Sequence, residues 1–331
     1  MFVGFEPIGS LSFRKAYPYS PQARGPVMFG SSFVMRTTAL LGALAQLGWT
    51  RNKGCAKEGS LEDPFEGVKN CLKVLGIKEL KGPFATNGSE LYFGEDELYP
   101  LSEGLKLWKW LKEKNLVEEL LEGRIVLPRK KKSVWEALKR EERLAEKSVT
   151  YGIALEREKK IVKEGYFYIK ERVFFKDRIS MGFFVEGEPS VNVEALPLGR
   201  GGIAKVILEK KRLEDYFELK GEGKEGLLLF LSPTLLLKPS EEYVSIDLET
   251  VKNVLKGLEC SYVKPFPLLR RFEITLYPLG WDLVKDVQRP HVPAIAPGSA
   301  LYVECERPLK AGLYGLGQYP ELGFGTTLFL P

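Results

Sequence analysis

The chain opens on an apolar run, FVGFEPI, that predicts a first strand over residues 2–8. A long stretch rich in Pro, Gly and aromatics follows, SFRKAYPYSPQARGPVMFGSS, before any helical period begins. A loop of this length inside a compact domain is usually functional or disordered. Leu40, Leu41, Leu44 and Leu47 then share one helical face, predicting a helix over residues 38–47 with Thr37 as N-cap and Gly48 as its stop. Acidic helices follow at 65–75 and 103–121, the second carrying Leu105, Leu107, Trp108 and Leu111 at helical spacing. The cationic run PRKKKS precedes a helix over 135–147 with Trp135 and Leu138 as its apolar points. Ile153 and Leu155, then Val162, Tyr166 and Tyr168, predict a protruding β-hairpin with its turn near residues 158–160. Its outward aromatics suit either wedging between bases or cross-strand packing.

The second half repeats the style of the first. The glycine-rich turn LPLGRGG runs into a strand over 203–208, and the charged stretch ELKGEGKEG, residues 218–226, marks the domain boundary. Beyond it come GLLLFLSPTLLL, a strand broken at Ser232 and Pro233, then a helix over 246–259 with Asp247 as N-cap. FEITLYPLG is the next strand, ALYVECE a third and GTTLFL a fourth, with a degenerate helix around Lys310. Antiparallel strands with one strong helix are the pattern of a ferredoxin-like α+β unit. Each half places a glycine loop before its last strand. The expectation is therefore two ferredoxin-like (RRM-like) α+β domains, residues 1–217 with helical and β-hairpin insertions and residues 226–331 with the glycine-rich loop GLGQYPELGFGT, although no residue-level repeat is visible.

Charge sharpens this picture where total composition does not. The net charge is +5 over 331 residues, but residues 1–54 alone carry +5 and residues 124–178 carry +8, which leaves −8 for the rest. Two basic territories on an acidic body suit a phosphate backbone, since each neutralised phosphate releases counterions. A lysine-rich helix also simply solvates a surface, so charge alone does not choose. Arg14, Lys15 and Arg24 interleave with Phe13, Tyr17 and Tyr19, which fits phosphate contact combined with base stacking, or packing of the loop on the protein itself. In GRGG, backbone amides unobstructed by side chains can grip a phosphate, with Arg200 and Lys205 adding charge.

The same residues narrow the chemistry. His291, between prolines, is the single histidine, which excludes paired imidazoles, a HExxH helix and a His-rich metal site. Neither GxSxG nor GxxxxGK[ST] occurs, and the closing GLG and GFG precede a strand where a dinucleotide fingerprint would open a helix. No catalytic residue, metal or cofactor is expected. Cys55, Cys71, Cys260 and Cys305 form no CxxC pair and are expected to be four buried thiols in a reducing cytosol. With Lys and Glu abundant and only four Gln, the composition is of the thermophilic kind. No basic leader and no apolar stretch of roughly 20 residues is present, so a soluble, cytoplasmic protein without membrane contact is expected.

Four stretches together resemble a known family. They are FEPIGSLSFRKAYPYSPQARGPVMFGSSFVMRTTALLGALAQ, YGIALEREKKIVKEGYFY, LGRGGIAKV, and AIAPGSALYVECE with ELGFGTTLFL. The chain is similar to the RAMP proteins of CRISPR systems, most of all to the family forming the third subunit of the type III-B Cmr effector complex. The resemblance implies a non-catalytic subunit that captures the 5′ tag of guide RNA and bridges the large polymerase-like subunit to the backbone RAMP subunits. It implies RNA contacts by Arg14, Lys15, Arg24 and Arg36, by a thumb hairpin carrying Arg157, Lys159, Lys160 and Lys163, by the turn at Arg200, Gly201, Gly202 and Lys205, and by the loop at Gly323 and Gly325. That family's turn often carries an acid where this chain has Ile203. Two other readings stand beside it: a RAMP endoribonuclease that processes CRISPR precursor RNA, and an interaction subunit that never touches RNA.

Overall fold

The computed structural model describes residues 1–13, 27–29, 34–56, 63–124, 144–156, 161–175, 178–191, 193–199, 201–239, 248–282 and 287–331. The chain runs through β1 (Phe2–Ile8), β2 (Val27–Phe29), α1 (Thr37–Arg51) and α2 (Glu66–Val74), then β3 (Ile77–Thr86), β4 (Leu91–Phe93) and β5 (Tyr99–Pro100). Helices α3 (Leu101–Glu113) and α4 (Val117–Leu121) lead to the long strands β6 (Ala145–Glu156) and β7 (Ile161–Phe175), followed by β8 (Ser180–Gly187), β9 (Ala195–Leu198) and β10 (Gly202–Glu209). The second half contains β11 (Glu222–Phe230), β12 (Thr234–Leu235), α5 (Leu248–Leu255), β13 (Cys260–Phe266), β14 (Ile274–Pro278), β15 (Trp281–Asp282) and β16 (Val287–Gln288). It closes with β17 (His291–Ile295), β18 (Ala300–Lys310), β19 (Gly312–Gly315) and β20 (Thr326–Leu330).

These elements make an α+β molecule whose sheets are mostly antiparallel. Two large sheets share one spatial order. In β10-β1-β8-β3 and in β20-β11-β18-β13, the strands numbered along the chain lie fourth, first, third, second, and helices join the first to the second. The first sheet is extended by β4, β5 and β9, the second by β19. Strands β12, β17 and β14 form a separate small sheet, and β2, β7 and β6 form another.

Apolar runs fall where burial on both faces requires them. Leu227, Leu228, Leu229 and Phe230 of β11 are all fully buried, with Leu227 and Leu229 facing a core shared with Phe2, Phe84 and Phe184, and Leu228 and Phe230 facing α5. Each contributes about 2 kcal/mol of transfer free energy. The core around α1 likewise crosses the halves: Val3, Phe5, Leu40, Leu44 and Phe65 pack with Leu235, Tyr277, Val292, Leu322 and Phe324.

Several sequence expectations are corrected here. Gly48 does not stop α1; it lies inside it, because a Cβ there would overlap the Cys71 carbonyl of α2, and the missing side chain lets the two helices touch. Residues 145–147, expected at the end of a helix, are strand β6, paired to β7. FEITLYPLG supplies β14 of the small sheet, and the second strand of the larger sheet is β13, CSYVKPF. Around Lys310 the chain continues β18 as strand and forms no helix. The four cysteines are paired as Cys55–Cys71, tying the turn after α1 to α2, and Cys260–Cys305, joining adjacent strands β13 and β18. Residues 125–143 and 240–247, with the expected Trp135 and Asp247, lie outside the described residues. No helix among the described residues is long and apolar enough to cross a membrane.

Candidate nucleic-acid interface

Three tracts far apart in sequence meet where β1 ends. Leu11 and Val173 of β7 exchange backbone hydrogen bonds of 2.9 and 2.7 Å. Ser12 Oγ donates to the Glu171 carbonyl at 2.9 Å, and Arg172 donates to Ser10 Oγ at 3.0 Å. On the other side of this segment lies the turn between β9 and β10. A Cβ at Gly199 would sit 2.7 Å from the Ser12 carbonyl, and one at Gly202 2.6 Å from the Leu11 side chain. Gly199 and Gly201 also hold φ of +65° and +70°, a left-handed conformation that glycine adopts at little cost. The glycines thus let the turn press against residues 10–12.

The segment from 10 to 13 leads directly into Arg14 and Lys15, and the chain returns as β2, which pairs with β7 in parallel, Val27 opposite Tyr168. Both ends of the basic loop are therefore fastened to one strand of the hairpin, five residues apart along it, which is about 17 Å. Arg14, Lys15 and Arg24, the hairpin tip with Arg157, Lys159 and Lys160, and Arg200 lie outside the described residues; Lys163 is placed by its backbone in β7. Gly201 is exposed at the turn, Gly202 is buried beneath it, and Lys205 is exposed on β10 opposite Glu6. The structure thus brings together the roots of the loop, the hairpin and the GRGG turn. The helix expected through residue 147 hid Lys147, which is exposed on β6 with Val149 and Tyr151. Sequence reading also missed Ile8 and Ile203, an exposed cross-strand pair beside the turn.

Arg36 lies elsewhere, buried away from that junction. It is 6% exposed, donates to the Pro278 carbonyl at 2.9 Å and lies over the Tyr277 ring. Beside it the buried Glu95 carboxylate accepts from Thr37 N–H and Thr37 Oγ1, both at 2.6 Å, and from the Tyr277 hydroxyl at 2.7 Å. Glu95 thereby caps the N-terminus of α1, where an anion is favoured. Burial raises its pKa, against the lowering effects of the Thr37 bonds and of the Arg36 charge. His291, at the start of β17, has a lowered pKa, from burial first and the Arg36 charge second. This polar cluster holds the two halves together, because Arg36, Thr37 and Glu95 belong to one and Tyr277, Pro278 and His291 to the other.

The closing glycine loop is a second joint, and Gly323 and Gly325 are buried in it. A Cβ at Gly323 would lie 2.9 Å from the Phe183 ring and 3.0 Å from the Gly82 carbonyl, and one at Gly325 would overlap the Leu316 carbonyl. Leu80 N–H donates to the Glu321 carbonyl, and Gly82 N–H donates to Thr326 Oγ1, both at 3.0 Å. Lys69 reaches from α2 to Glu321 at 2.9 Å and to Asp63 at 3.1 Å. Among the described residues no group of three or more His, Cys, Asp or Glu is arranged to hold a metal ion.

Comparison with known proteins follows the same outline. No curated protein matches this sequence. In fold the chain is similar to a chain of a type III-B Cmr-beta complex bound to cognate target RNA, with a TM-score of 0.56 and 18% identity over 91% of this chain and 86% of that one. It is equally similar to a chain of the type III-B Cmr-beta complex bound to cognate target RNA and AMPPnP in state 1, with a TM-score of 0.57 and 17% identity over the same shares. The family profile described as CRISPR-associated protein (Cas_Cmr3) matches residues 103–331, more than two thirds of the chain. That match takes in the hairpin, the glycine turn and the closing glycine loop, and the chain belongs to the CRISPR-associated protein family Cas_Cmr3.

Proposed function

We propose that this chain is a non-catalytic, RNA-binding subunit of a type III-B Cmr effector ribonucleoprotein in the cytoplasm. It binds the 5′ tag region of guide RNA and bridges the large subunit to the backbone RAMP subunits. Its two halves, residues 1–217 and 226–331, are ferredoxin-like domains, a reading supported by the strand order fourth, first, third, second in both. One observation carries the proposal: the roots of the basic loop, the basic hairpin and the GRGG turn converge on residues 10–13. Single-stranded RNA is held through its phosphates and through stacking of its bases, and the sequence leading from that junction carries cations, glycines and aromatics.

The test is to purify the tagged chain from its native cell, sequence bound RNA and identify bound proteins, then repeat with Arg14→Ala and Arg24→Ala combined. The proposal expects guide RNA and the other effector subunits with the native chain. It expects reduced RNA crosslinking and a shallower salt dependence with the double variant, since each lost phosphate contact lowers the slope of log K against log salt by about 0.7 on a single strand. Crosslinking unchanged in the double variant would leave an interaction subunit without RNA contact. Metal-independent cleavage of repeat RNA that is lost in His291→Ala would establish the endoribonuclease instead.

A further inference from the structure

We infer that a cleft between the two halves takes an apolar segment of a neighbouring protein subunit that carries lysine or arginine, an inference that rests on the bridging role in the reading above. The cleft has a volume of about 530 Å³. Strands β3 and β8 supply one wall, the connection over residues 212–219 a second, and the turn from β18 into β19 a third. Its lining is largely apolar. Phe184 is 6% and Leu213 9% exposed, while Phe217, Leu219 and Leu313 are half-buried at the margin of the same core. These walls are fixed before anything binds. The Phe184 ring stands edge-on to Phe84 and Tyr216 at 5.6 and 6.0 Å, and Arg212 N–H donates to Asp215 at 2.7 Å to hold the turn that carries Leu213. A wall already in place spares an incoming segment the entropy of ordering it.

The rim decides which segment fits. Glu79 and Glu186 stand opposite each other in the β3–β8 ladder, so both carboxylates leave the sheet on the face of Phe184. Like charges in that position destabilise a sheet. Among the described residues neither makes an ion pair, and nor does Glu214 on the facing wall. The cations at the cleft do not answer them: Lys81 and Arg212 form no ion pair either, and the Met1 amine is directed at the Val185 carbonyl at 3.5 Å. A cation brought from outside relieves the repulsion that the sheet otherwise bears. A small cation would leave the apolar walls wet, whereas a lysine or arginine lays its aliphatic stem along them and keeps its charged head at the rim. An apolar contact ringed by charge is also the anatomy of a protein interface. RNA would bring its phosphates against three unpaired carboxylates, so this cleft and the basic junction suit different partners.

The experiment uses the effector complex purified through the tagged full chain, with subunit occupancy read by native mass spectrometry. Glu79→Lys combined with Glu186→Lys keeps two like charges opposite each other, so the burden on the sheet is unchanged while the sign presented to a partner is reversed. This double variant is expected to lower the occupancy of one other protein subunit about tenfold or more, with the isolated chain binding a labelled RNA to within about twofold of the native affinity. Glu79→Gln combined with Glu186→Gln should lower occupancy less. The isolated double variant should melt near the native chain. Glu214→Lys lies on the connection and in no sheet, and it carries the same expectation should the double variant fail to fold. In the native complex, carbodiimide should join Glu79, Glu186 or Glu214 to a lysine of that same subunit; where the segment carries arginine no link forms and the reversal decides. Native occupancy of every subunit in the folded reversal variants overturns this inference and leaves the RNA-binding reading intact. So does loss of a bound small molecule, or of RNA affinity, with every subunit retained. A native chain that brings down neither guide RNA nor other subunits overturns the reading on which the inference rests.

Discussion

Glu95 shows how a single side chain redirects a reading made from sequence. In the text, Arg36 is one more cation after a basic loop, and only the fold brings to it a carboxylate 59 positions away and the Tyr277 ring from the other half. Burial raises the Glu95 pKa, so the folded state binds its proton more tightly than the unfolded chain does. The contribution of this group is therefore fully present below the ordinary glutamate value of about 4.5 and is lost as pH rises from there through the raised value. Within that window the stability of the native protein relative to Glu95→Gln should fall by about 1.4 kcal/mol per pH unit. Urea denaturation at a series of pH values measures this directly. A relative stability that climbs with pH would mean that the Thr37 bonds and Arg36 outweigh burial.

Among the elements, those that bury both faces or one regular face were legible in the text. β1, α2, β11, β18 and β20 lie where apolar runs and helical periods put them, because no alternative element satisfies the same pattern. β13 was not, since CSYVKPF is short and interrupted by Lys and Pro while FEITLYPLG nearby looks more like a strand. The start of β6 was missed for a different reason: its exposed residues carry no core pattern, and Glu and Lys read as helix formers. The cysteine pairing depends on contacts no spacing encodes, Cys260 standing opposite Cys305 across two strands. The chain-entropy model gives about 3 kcal/mol for the 16-residue separation of Cys55 and Cys71 and about 4 kcal/mol for the 45-residue separation of Cys260 and Cys305. Calorimetry without reductant should thus show the double variant Cys260→Ala, Cys305→Ala melting below Cys55→Ala, Cys71→Ala, with both below the native chain. Equal melting of all three, and free thiols in the native chain, would contradict the pairing.

At the scale of the molecule, a repeated sheet order coexists with a shared interior. Leu322 and Phe324 sit in the core of α1, and Phe2, Phe84 and Phe184 in the core of β11. A cut between the halves would therefore strip the packing from both, and calorimetry should record one cooperative unfolding transition for the whole chain. Two separated transitions, or two fragments that fold alone, would contradict this. The glycine motifs were legible as motifs, but their roles were not, since GRGG and GLGQYPELGFGT look alike in the text and only their neighbours divide them into a surface turn and an interior joint. The fastening of residues 14–26 at both ends to β7 has a further consequence. A 13-residue span with fixed feet keeps its three cations within about 20 Å of the strand whatever path it takes. The entropy of closing that loop is therefore settled when the protein folds, and nothing that meets those charges afterwards has to supply it.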